Sequence, residues 1–170
     1  PGASTFGTPI YTSFYNSLLS KLNLDASVPA QVALVSAEFR NQREALSDNG
    51  KATAINGPFT FAAVTLSAAG CLDRINFERA PANAASKLFF NEVDLDAAPG
   101  QLSDTVLKTV INRLGRGLYG DNPSGAEANL LVADVRASMD LDPANDAAET
   151  REAMLYLCTA MSSSTLGLEQ

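Results

Sequence analysis

The chain has 170 residues, 46% hydrophobic and 18% charged, with a net charge of −7 and a pI of about 4.5. This is a globular composition, long enough for a single domain, residues 1–170, with its own core. The 12 Lys and Arg are scattered, which argues against nucleic acid and anionic lipid, and the absence of histidine removes Ser-His-Asp and Cys-His catalysis together with the usual zinc and haem ligands.

Helix punctuation runs through the chain. Thr8-Pro9 offers a cap and a helix-start proline, and Ile10, Phe14, Leu18 and Leu22 then recur every four positions on one helical stripe. In "DASVPAQVALVSAEFRNQREALSDNG", Ser27 is the expected cap and Pro29 sits in the first turn. Val28, Val32, Val35, Phe39 and Leu46 form the apolar face of that helix, and Asp48-Asn49-Gly50 ends it. The segment after Asn56-Gly57-Pro58 is almost entirely small or apolar as far as Cys71, which predicts a central helix surrounded by others. "KATAINGPF" is the one place that suits a short extended piece.

Pro81 is expected to open a shorter helix, "PANAASKLFF", followed by the polar loop "NEVDLDAAPG". The next helix places Leu102, Val106, Val110 and Leu114 on one face and closes in "GRGLYG". Asp121 or Asn122 can cap its successor, with Pro123 in the first turn. A final helix runs into "SSSTLGLEQ". The expected fold is all-α, a compact bundle of about six or seven helices. Residues 1–7 and about 165–170 read as flexible or arm-like ends. No apolar window reaches the roughly eighteen residues a membrane span requires. The chain opens at Pro1 with no cationic-then-apolar leader pattern, a start compatible with removal of an initiator Met or of a signal peptide.

Few motifs suggest chemistry. "GRGLYG" matches G-x-G-x-x-G, but a nucleotide loop follows a strand and opens a helix, whereas these glycines follow "TVLKTVINRL". Gly115 and Gly117 are expected to supply permissive φ angles there, and Gly120 a left-handed turn. "SDN" at Ser47–Asn49 lacks the companion motifs of penicillin-recognising enzymes and reads as a helix-ending turn. Calcium candidates are "NEVDLD" and, in "DLDPAND", Asp140, Asp142 and Asp146. The alternative for both loops is a solvated turn capping the next helix. Glu149 and Glu152 share a helix face but lie at a helix N-terminus, where acids complement the helix dipole. No catalytic residue, cofactor or metal is expected. Cys71 and Cys158, 87 positions apart, fall within apolar helices. Taken alone they suit a disulfide, a reactive thiol or two buried free cysteines.

"FTFAAVTLSAAGCLDRI", the pair Phe89-Phe90, and "REAMLYLCTAMSSSTLGLEQ" together resemble a helical module of proteobacterial secreted and envelope proteins that often carry laminin-G-like sandwich domains. Cys71, Phe89-Phe90, Cys158 and Ser162–Gln170 fall in the module's order, although Gly70 stands where the module has an aromatic residue. The resemblance implies an extracytoplasmic setting and a Cys71–Cys158 cross-helix disulfide. With it, the expected function is a non-enzymatic domain at the bacterial cell surface that mediates assembly or adhesion through a protein partner or self-association. The alternatives are a self-assembling coat or filament subunit and a carboxylate-dependent enzyme.

Overall fold

The computed structural model describes residues 10–45, 57–141 and 145–164, which form six α-helices and no strand. They are α1 (Ile10–Lys21), α2 (Ala33–Ala45), α3 (Gly57–Arg79), α4 (Asp104–Tyr119), α5 (Gly125–Leu141) and α6 (Ala147–Ser164). Short 3₁₀ turns at Pro29–Gln31, Pro81–Ser86 and Pro99–Gln101 each begin at a proline, whose fixed φ suits a first helical position. The Thr8-Pro9 start, the Asp48-Asn49-Gly50 stop, Ser47, Leu46, the two terminal arms and residues 51–56 of the extended piece lie outside the described residues.

Helix α3 is central, packing against α1, α2 and α6, while α6 also packs on α4 and α5. Its small side chains make the close approach possible. Ala62, Ala63, Ser67, Gly70 and Cys71 are all buried, and the space a Gly70 Cβ would need is taken by Leu22 Cδ1 at 3.0 Å and Leu18 Cδ2 at 3.3 Å. Phe14 and Leu18 form the buried stripe of α1, continued by Leu22 just past its end, with Tyr11 stacked on Phe39 of α2. Val110 and Leu114 are buried as their spacing predicts, with Val106 half-buried, and Leu107, Ile111 and Leu118 widen that face of α4. Leu102 is buried too, but at the end of the 3₁₀ turn that precedes the helix expected to carry it.

Three local expectations are corrected. Ser27 does not cap α2: its N–H and hydroxyl both bond Asp25, and the helix begins only at Ala33. The α2 N-terminus is capped instead by Asp73 of α3, which accepts from Leu34 N and Val35 N at 3.0 and 2.8 Å. Val28 consequently stays exposed, outside the helix it was expected to line. Second, "PANAASKLFF" is helical only through Ser86, because a buried carboxylate captures the amides of Leu88, Phe89 and Phe90 and turns the chain out of the helix. Third, α5 is capped by Ser124 and not by Asp121 or Asn122. Ser124 Oγ accepts from Glu127 N and Glu127 Oε2 from Ser124 N, a reciprocal capping box that begins after Pro123.

One turn design occurs twice. "LDASVPAQV" and "LDAAPGQL" each run from a buried leucine (Leu24, Leu95) through a proline-initiated 3₁₀ turn to a second buried residue (Val32, Leu102). In each, a glutamine reaches back to accept from an aspartate amide, Gln31 from Asp25 within the first stretch and Gln101 from Asp94, the residue just before the second. Both turns deliver the chain to the start of a core helix.

Cys71 of α3 and Cys158 of α6 form a disulfide, with Cα atoms 5.8 Å apart and both side chains fully buried. The bond joins the central helix to the last one across 87 residues.

Candidate functional site

Of the residues nominated by sequence, Cys71 and Cys158 come together, while the described acids of the calcium candidates act as caps and ion-pair partners. Asp140 is exposed at the end of α5, and Asp142 lies outside the described residues. Asp146 caps α6, accepting from Ala148 N at 2.7 Å and Glu149 N at 3.2 Å, while Glu149 accepts from Asn145 N. In "NEVDLD" two acids meet arginines and the third makes a turn: Asp96 pairs with Arg79 at 2.6 Å and lies 3.7 Å from Arg151, Glu92 pairs with Arg113, and Asp94 accepts from Asp96 N at 3.0 Å. Among the described residues, no three His, Cys, Asp or Glu side chains come together as a metal site.

"GRGLYG" closes α4. Gly120 is its C-cap at φ 80°, so helix carbonyls, not amides, emerge there, and the partial charge is the wrong sign for phosphate. Gly115 and Gly117 are helical, and their expected role as permissive φ positions is corrected: both are required by packing. A Cβ on Gly115 would overlap the Pro123 ring and stand 2.8 Å from Asp121 O; one on Gly117 would stand 2.5 Å from Phe89 Cε1.

The most polar buried cluster is structural. Arg74 is fully buried, donating through Nε to Glu78 at 2.7 Å and through its two other nitrogens to the carbonyls of Asn23 and Ser86, each at 3.2 Å. Its guanidinium lies 5.1 and 5.4 Å from the ring centres of Phe77 and Phe89. Glu78 also accepts from Leu88 N, Phe89 N and Phe90 N. Burial and these bonds leave neither group a geometry for proton transfer to a substrate. What the cluster does is fasten the α1 end, the α3 end and the Phe89-Phe90 segment at one point.

A groove of about 670 Å³ lies where α4 ends, α5 begins and α6 ends. Its floor is apolar, with Leu130, Leu131, Ala160 and Met161, and Leu130 is 66% exposed. Tyr119 forms one wall. Its hydroxyl bonds the carbonyl of Met161, which also accepts from Ser164 Oγ at 2.8 Å, and lies 2.6 Å from Ser164 Oγ, so the phenol is tied to the last turn of α6. Burial pushes the Tyr119 phenol above its ordinary value, so it stays a neutral donor. The polar rim is acidic, with Asp121 and Glu127 and no Lys or Arg among the lining residues. Hydrogen bonds from Ser124 hold Glu127 below the usual carboxylate range.

The groove combines an apolar floor with an acidic rim, an arrangement that can bind an apolar surface and select its charge. Sequence reading missed it because its walls come from three helix ends. The local signals were the S-x-x-E box at Ser124 and an unpaired leucine at position 130 on the exposed side of α5.

No protein family, curated protein or solved structure matches the chain. Fold and site therefore define its class: an all-α, disulfide-linked helical domain with an acidic-rimmed apolar groove.

Proposed function

We propose that the chain is a non-enzymatic, extracytoplasmic helical domain that mediates assembly or adhesion at the bacterial cell surface. The observation that carries this reading is the buried Cys71–Cys158 disulfide, a bond that persists in oxidising compartments and is rare where thiols are kept reduced. The resemblance to helical modules of proteobacterial envelope proteins supports the same setting. No helix among the described residues is long and apolar enough to cross a membrane, so attachment through these helices would be by contact with other molecules. The groove offers an apolar surface for such contact.

The test is thiol mapping by mass spectrometry on protein alkylated at the moment of lysis of its native host. A bridged Cys71–Cys158 peptide is expected in the extracytoplasmic fraction, and two alkylated thiols would remove the proposal. Negative-stain microscopy of the purified chain separates the rival role: rods or shells would replace a cell-surface domain by a coat or filament subunit.

A further inference from the structure

The groove's chemistry points to its occupant. Leu130 leaves an apolar side chain in water beside the half-buried Leu131, over a floor that includes the buried Met161, and a partner would desolvate it. Its walls are helices, and no strand edge exists among the described residues, so an added β-strand has no template. A helix laid into the groove, with its apolar stripe inward, is the recognition mode that fits.

Charge chooses among the possible sources of that helix. Asp121 and Glu127 stand at the rim with no cation lining the groove. A second copy of this chain, at net charge −7, would bring the same acidic rim toward this one. The chain's own final residues, "TLGLEQ", contain leucines but carry Glu169 and no Lys or Arg. Both alternatives place like charges together, whereas a partner segment with flanking Lys or Arg places opposite ones.

We propose that the groove formed by Tyr119, Leu130, Leu131 and Met161 docks an amphipathic helix of a partner protein, apolar on one face and basic at its flank. This rests on the assembly reading above and names the chemistry of the partner.

The experiment uses the oxidised 170-residue protein and two synthetic helices of about three to four turns, one built of Leu and Lys and the other of Leu and Glu. Affinity is read by fluorescence anisotropy and location by amide chemical-shift changes. The Leu/Lys helix is expected to shift residues around Tyr119, Leu130 and Met161 and to bind at least about tenfold more tightly than the Leu/Glu helix. Leu130→Asp, at an exposed position, is expected to weaken Leu/Lys binding about tenfold or more although it adds a negative charge. Unchanged or stronger binding by that variant would mean diffuse attraction to an acidic surface and would overturn the proposal. Equal binding of both helices overturns it as well. If Leu166→Ser/Leu168→Ser tightens Leu/Lys binding tenfold, the chain's own tail is the occupant. If Leu130→Asp turns a dimer into a monomer, a second copy is. Either result replaces the proposal. Absence of peptide binding while the native bridge is intact removes the groove assignment alone. Free thiols in the native host remove the extracytoplasmic setting and leave the groove assignment standing.

Discussion

Glu78 illustrates how one buried carboxylate can organise distant chain. It receives Arg74 Nε and the amides of Leu88, Phe89 and Phe90, so its charge is both paired and hydrogen-bonded. Glu78→Ala would leave the Arg74 charge buried and three amides without their acceptor, and a loss of roughly 3–5 kcal/mol is expected in urea denaturation. A loss below about 1 kcal/mol would mean that water replaces the carboxylate. Asp73, one turn earlier, does the same for α2, but burial pushes its carboxyl above the ordinary 3.8 despite the two backbone bonds that favour its charge. A raised folded value means that the folded state binds the proton more tightly than the unfolded chain does. This group's contribution to stability is therefore greatest below pH 3.8 and is lost as pH rises through the folded value. Carbon-detected NMR titration should find the Asp73 midpoint above 3.8, and Asp73→Asn should abolish that part of the pH dependence.

At the level of elements, glycines that look alike in sequence diverge. Gly115 and Gly117 lie within α4, where alanine has the better helix propensity, yet each has a neighbour in the space of its missing side chain. Gly125, the first residue of α5, has nothing within 4 Å of that position. Gly115→Ala should therefore destabilise by about 1–3 kcal/mol through overpacking against Pro123. Gly125→Ala should be neutral or stabilising by up to about 1 kcal/mol. Thermal denaturation of the pair distinguishes packing from backbone freedom: if both substitutions stabilise, the Pro123 contact yields easily. The Ser124–Glu127 box gives a parallel expectation. Ser124→Ala should cost about 1 kcal/mol, measured the same way, and should loosen the rim of the groove that Glu127 helps to form.

Across the whole molecule the Cys71–Cys158 bond closes a chain segment that contains part of α3, all of α4 and α5, and much of α6. Constraining a loop of that length stabilises the fold by roughly 4–5 kcal/mol in the chain-entropy description. Cys71→Ala/Cys158→Ala should lower the unfolding free energy by about that amount while leaving the helical circular dichroism of the folded state unchanged. A difference under about 1 kcal/mol would place the stability of the bundle in its apolar packing alone.

The amino-acid sequence by itself determined the all-α class, most helix positions, the stripes Phe14-Leu18-Leu22 and Val110-Leu114, and the central place of α3. All of these follow from interactions within about four residues, which periodicity and proline or glycine punctuation record. Tertiary structure decided the rest. Asp73 caps a helix 38 positions away, Glu78 unwinds the segment before Phe89 by taking its amides, and Gly117 is reserved for the Phe89 ring. The two cysteines left three readings open until α3 and α6 brought their Cα atoms to 5.8 Å. The groove lay furthest from the sequence: Tyr119, Leu130 and Met161 are ordinary residues on three helices, and their side chains share a surface only after those helices pack. Local propensity depends on neighbours along the chain, whereas a binding surface depends on neighbours in space.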